Sequence, residues 1–133
     1  MKSLKRRLYE KPPTMLGGHL RKRRLELGHL QREVAIALGI NTWTYLLWEH
    51  DSTVPSIGMW PHILSFLGYD PFPRPTDFAG KLMLIRRRLG LSQERLARQL
   101  GIDEAALARW ENGRSKPSDE QVRIVEAFLA SGE

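Results

Sequence analysis

The sequence contains no cysteine. That excludes disulfide frameworks, thiol nucleophiles, iron–sulfur clusters and thiolate zinc motifs, and it suits a cytoplasmic location. Long apolar runs are also missing. The longest uncharged stretch, 52–69, is broken by Pro55, Gly58, Pro61 and His62, so no membrane span is expected. The basic N-terminus has no apolar run behind it, which argues against a secretory leader. Histidine is sparse: His19, His29, His50 and His62 stand at spacings that place no two on adjacent helical turns. There is no phosphate-binding loop and no motif supporting a Ser–His–acid order. Catalytic residues, metal ligands and cofactors are therefore not expected.

What is present is an ordinary globular composition with a basic surplus. The 133 residues carry 21 Lys+Arg against 15 Asp+Glu, a formal charge of +6. That length suits one domain or two very small ones. The charge makes polyanions the first partner class, and no basic amphipathic stretch with a clean apolar stripe favours lipid over nucleic acid. Both halves share the surplus, with 10 cations and 6 anions in 1–70 and 11 and 9 in 71–133.

An internal repeat runs without gaps at an offset of 62 residues. Gly18, Leu20, Arg24, Leu27 and Gly28 fall on Gly80, Leu82, Arg86, Leu89 and Gly90. Gln31, Ala35 and Leu38-Gly39-Ile40 fall on Gln93, Ala97 and Leu100-Gly101-Ile102. Trp48-Glu49, Pro55-Ser56 and Phe66-Leu67 fall on Trp110-Glu111, Pro117-Ser118 and Phe128-Leu129. These are 16 identities over the 50 positions from 18 to 67. The repeat divides the chain into a basic arm over 1–13, a first unit over 14–67, a Pro-rich linker over 68–79 and a second unit over 80–130. The arm holds Lys2, Lys5, Arg6, Arg7 and Lys11, suited either to a phosphate backbone or to solvent. Pro71, Pro73 and Pro75 favour extended, stiff backbone in the linker.

Helix signals are clearest in the second copy. Leu82, Ile85 and Leu89 recur at helical spacing and stop at Gly90. Ser92 and Asp103 are natural N-caps for two short helices joined at Leu100-Gly101-Ile102. Ala106, Leu107 and Trp110 share one side of the second of these, which stops at Asn112-Gly113. Ser118 and Gln121 form a capping-box pair opening a last helix with Val122, Val125, Phe128 and Leu129 on its apolar side. No alternating strand pattern competes. Two short helices crossing at a small residue, Ala97, across a glycine turn make a helix-turn-helix. Glu111 is placed to tie back to Arg86.

The run Leu91-Ser92-Gln93, Leu96-Ala97, Leu100-Gly101-Ile102, Leu107, Arg109-Trp110-Glu111, Gly113 and Pro117 resembles the helix-turn-helix of phage Cro and repressor proteins, the XRE family. Copy one fits the same frame through Gln31, Val34-Ala35, Leu38-Gly39-Ile40, Thr44-Tyr45, Trp48-Glu49 and Pro55. It departs at Leu30, where the family frame has the N-cap Ser, and at His50-Asp51, where it has Asn-Gly. The resemblance implies an all-α fold of two tandem lambda-repressor-like units of four to five helices. It further implies sequence-specific duplex DNA binding in transcriptional control, with repression the expected direction and the bacterial cytoplasm, at the nucleoid, the expected place.

Carried over by position, Gln31 and Gln93 would bond phosphates at the start of the first helix of each motif. Glu104, Ala105, Ala108 and Arg109 would face the major groove. Arg109 offers a fork to guanine or a phosphate contact, Ala105 a methyl to thymine, and Glu104 an acceptor for cytosine. Asn112, Arg114 and Lys116 would hold phosphates. Asp103 and Glu104 also suit the helix dipole, a purely structural role. At the matched positions copy one has Thr42, Trp43, Leu46 and Leu47, and 34–48 carries no charge at all. Thr42 and Trp43 are candidate DNA contacts, whereas Trp43, Leu46 and Leu47 together suit a protein interface, with a second copy or another protein. The rival to a DNA-binding regulator is accordingly a protein-interaction adaptor or antitoxin on the same fold.

Overall fold

A computed structural model describes residues 15–131; the basic arm lies outside them. The described residues form eight α-helices, one short 3-10 turn and no strand. The described residues divide into two compact units: 15–55 with His62–Phe72, and Ser56–Pro61 with 73–131. The 3-10 turn Ile57–Met59 thus belongs with the second unit.

In the first unit, α1 spans Leu16–Glu26, α2 Gln31–Leu38 and α3 Thr42–Glu49, and α4, Trp60–Leu67, completes the run from His62 onward. Helix α3 packs against both α1 and α2. Leu20, Val34, Ala35, Tyr45, Trp48, Ile63 and Leu67 are buried. Gly17 is needed at its place in α1, because a Cβ there would stand 2.3 Å from the Glu49 carbonyl oxygen. Its N–H donates to Asp51 Oδ1 at 2.9 Å, so the start of α1 is fastened to the residues that follow α3. Leu30 provides no side-chain acceptor at the head of α2. Glu33 reaches back instead and accepts from the Leu30 N–H at 2.7 Å, one half of a capping box.

In the second unit, α5 spans Phe78–Leu89, α6 Gln93–Leu100, α7 Glu104–Glu111 and α8 Asp119–Ser131. The expected caps are in place. Ser92 and Asp103 accept from Arg95 and Ala106 N–H, and the Ser118–Gln121 box closes in both directions; Asp77, not singled out in the sequence, accepts from Gly80 N–H at the head of α5. Leu82, Ile85, Leu96, Ala97, Leu100, Leu107, Trp110 and Val125 make one core, with Phe128 and Leu129 packed against it. Phe78 meets the Trp110 ring edge-on at 5.7 Å. Losing that indole would cost roughly 3–5 kcal/mol in cavity and transfer terms. One apolar position departs from the sequence pattern. Leu89, the last residue of α5, is 44% exposed on the rim of a shallow hollow with Ile85, Phe128 and Leu129, while Leu84 is buried.

The 62-residue offset carries through to the backbone. Helices α2 and α3 begin and end 62 residues before α6 and α7. Gly39 and Gly101 end the first helix of each pair at φ 73° and 69°, where a side chain would be strained. Ile40 N–H bonds the Ala35 carbonyl and Ile102 N–H the Ala97 carbonyl, both at 3.0 Å. The two turns are built alike.

Candidate nucleic-acid interface

Each helix pair is held at its angle by one arginine. In the second unit, Arg86 Nη1 donates to Glu111 Oε1 at 2.8 Å and its Nε to the Leu91 carbonyl at 3.0 Å. One guanidinium thereby ties α5 to the turn before α6 and to the last residue of α7. In the first unit, Arg24 bonds Glu49 through Nε at 2.6 Å and Nη2 at 3.1 Å, and the His29 carbonyl at 3.1 Å. His29 and Leu91 are again matched positions. The expected tie of Glu111 to Arg86 exists, and its counterpart in copy one is bidentate.

Burial raises the proton affinity of Glu49, but the hydrogen bonds from Arg24 and Gln31, with the Tyr45 hydroxyl nearby, outweigh it and hold the carboxyl below its ordinary value. The bond to Glu49 raises Arg24 in turn. Tyr45 is raised by its burial and by the neighbouring carboxylate, so its hydroxyl stays protonated. It is a core group.

With α7 anchored through Trp110 and Glu111, its opposite side is open. Glu104, Ala105 and Arg109 are exposed and Ala108 is half-buried. Asn112, Arg114 and Lys116 follow in the exposed loop before α8. Among the described residues no hydrogen bond or ion pair engages the side chains of Glu104, Arg109, Arg114 or Lys116. The structure thus gathers these residues along α7 and the loop that leaves it. Gln93, half-buried, opens α6. Asp103 has a separate task, its Oδ2 accepting from Ala106 N–H at 3.3 Å to cap α7.

The first unit presents other chemistry at the same places. Gln31 Nε2 donates to Glu49 Oε1 at 3.3 Å, so this amide turns inward onto the ion pair. Trp43 is 66% exposed, Thr42 is exposed, and Leu46 and Leu47 are half-buried. Two further apolar side chains of this unit, the first of which the sequence reading passed over, are exposed. Ile36, at the position of Arg98, is 76% exposed, and Val54, at the position of Lys116, is 82% exposed. The signal was available in the repeat, where both fall on cations of copy two. Of the first-helix cations, Arg24 is committed to Glu49 and Arg23 Nε to the Phe66 carbonyl at 3.1 Å.

His19 Nδ1 lies 2.8 Å from the Tyr69 hydroxyl. Among the described residues no three His, Asp or Glu side chains gather closely enough to hold a metal ion. No described helix is long and apolar enough to cross a membrane.

Comparison with known proteins agrees with this geometry. Residues 82–131 match the family model described as helix-turn-helix. The chain is 33% identical over 54 residues to the HTH-type transcriptional activator BcrR of Enterococcus faecalis, covering 41% of this chain and 26% of that protein. It therefore spans about a quarter of the length of that curated relative. No solved structure matches it. With the α6–α7 pair, its glycine turn and its caps inside the matched range, the second unit is similar to helix-turn-helix domains.

Proposed function

We propose that this chain binds duplex DNA sequence-specifically through its second unit and regulates transcription, its task being recognition and not catalysis. The observation that carries the reading is the open side of α7 and its loop, where Arg109, Arg114 and Lys116 stand exposed and unpaired on a helix-turn-helix domain. In this arrangement α7 lies in the major groove and α6 crosses the backbone. Gln93 bonds a phosphate at the head of α6, and Asn112, Arg114 and Lys116 hold phosphates beyond α7. Arg109 reaches guanine or a phosphate, and Ala105 and Ala108 leave room for thymine methyls. Occupying a promoter is sufficient to repress it, so we assign repression. Activation, the activity in the name of the Enterococcus faecalis relative, requires a further contact with the transcription machinery. A DNA target places the protein in the cytoplasm, at the nucleoid.

The first unit supports a second role. Its helix pair matches that of the second unit in span and turn, yet the groove-facing positions are Thr42, Trp43, Leu46 and Leu47, and Ile36 and Val54 of the same unit are exposed. An uncharged apolar face gains nothing from phosphates but complements itself across a two-fold axis. We assign it to a second copy of this chain, which would bring two α7 helices to two half-sites.

Selection of bound sequences from a random duplex pool, followed by competition across salt, tests the DNA reading. A preferred sequence should emerge, with affinity falling steeply as salt rises because each neutralised phosphate releases counterions. Equal affinity for the selected and random duplexes at every salt concentration would overturn it.

A further inference from the structure

Glu104 is an anomaly on a surface meant for a polyanion. It is the first residue of α7, exposed, and makes no hydrogen bond or ion pair among the described residues. Asp103 is the N-cap, which leaves Glu104 only the favourable field of the helix dipole as a structural role. The matched position of copy one, Thr42, is neutral. In the docking geometry of this motif the N-terminal residues of the second helix are those nearest the base edges. An unneutralised carboxylate there lowers affinity for every sequence, unless a base supplies a donor.

The major groove offers two such donors, N4 of cytosine and N6 of adenine. They are not equivalent for a carboxylate. Adenine places its N7 acceptor beside N6, and two acceptors facing each other repel. Cytosine presents N4 without an acceptor on the same base. The methyl side chains of Ala105 and Ala108 leave the carboxylate space to approach.

We propose that Glu104 is a specificity-determining residue that demands cytosine at one position of the DNA site. It acts by exclusion as much as by attraction: the correct base offsets the repulsion and every other base leaves it standing. The proposal rests on the DNA reading given above for the second unit. One good base contact of this kind corresponds to roughly 5- to 150-fold discrimination between bases.

The decisive experiment compares the full chain with Glu104→Gln and Glu104→Ala, each selected against a random duplex pool and then titrated on single-base variants of the selected site. The wild-type protein should enrich sites with one invariant C·G pair. Glu104→Gln should move the preference at that pair to adenine, because an amide offers both the acceptor for N6 and the donor for N7. Glu104→Ala should flatten the position and bind unselected DNA more tightly than wild type. A role limited to the helix dipole would alter thermal stability and leave the base preference in place. Selection of the same base by wild type and Glu104→Gln would overturn the proposal, as would a wild-type site with no fixed cytosine, while the DNA reading stood. Failure of the wild-type chain to prefer any sequence would remove both.

Discussion

Glu49 shows how much a single buried carboxylate can hold. Only 3% of its side chain is exposed, and its two oxygens take Arg24 twice and Gln31 once. Because the folded carboxyl binds its proton less readily than the unfolded one, its contribution is complete above the ordinary carboxylate value of 4.5. It disappears as the pH falls from there through the lower folded value. The protection of α3 amides, taken relative to their unfolded exchange rates, should accordingly fall on acidification below 4.5. Glu49→Gln should weaken the first unit at neutral pH by roughly 3–5 kcal/mol, since Arg24 would remain buried without its counter-charge. It should also flatten the acid dependence. A wild-type α3 whose protection is level across that window would remove the ion pair from the stability of the fold.

At the scale of the element, the two helix pairs separate a shared scaffold from a divergent surface. The inward positions coincide: Leu20 with Leu82, Ala35 with Ala97, Trp48 with Trp110, and Arg24–Glu49 with Arg86–Glu111. The outward positions do not: Ile36, Leu47, Ser52 and Val54 face Arg98, Arg109, Arg114 and Lys116 across the alignment. Packing constrains the first set because interiors are close-packed, whereas solvent-facing residues change at little cost to stability. If α7 and its loop touch DNA, replacing Arg109, Arg114 and Lys116 together by alanine should lower the logarithmic salt slope by up to about 2.7. Melting should hardly change, because the three side chains are exposed and unpaired. An unchanged slope would show that these cations do not neutralise phosphates.

For the whole molecule, the question is what the first unit adds. Burying Trp43, Ile36 and Val54 against a second copy would remove apolar area worth about 25 cal/mol per Å². Sedimentation of the full chain at micromolar concentration should therefore show a dimer. Ile36→Ser with Trp43→Ser should return it to a monomer with its helices intact, since these side chains are 76% and 66% exposed. Loss of the dimer should also reduce affinity for DNA carrying two half-sites more than for DNA carrying one. A wild-type chain that sediments as a monomer would withdraw the assignment.

Local sequence alone determined the helices, because their signals are local. Ser92, Asp103 and Ser118 cap, Gly39 and Gly101 stop, and the apolar spacing between them selects a face. The repeat made the pairing of the two units legible, since matched residues 62 apart occupy matched helices. Along the candidate interface, the sequence placed Glu104, Ala105, Ala108 and Arg109 on one helix by register. It also read Asp103 as the cap of that helix, but it did not reveal that Glu104 makes no hydrogen bond or ion pair among the described residues, because hydrogen-bond assignment depends on atomic distances. Nor did it reveal that Gln31 turns inward to Glu49, or that Leu89 is exposed while Leu84 is buried. Those outcomes depend on how helices distant in sequence pack, and period and propensity carry no information about that. Only the tertiary structure decided which polar groups the fold consumes and which remain to meet a partner.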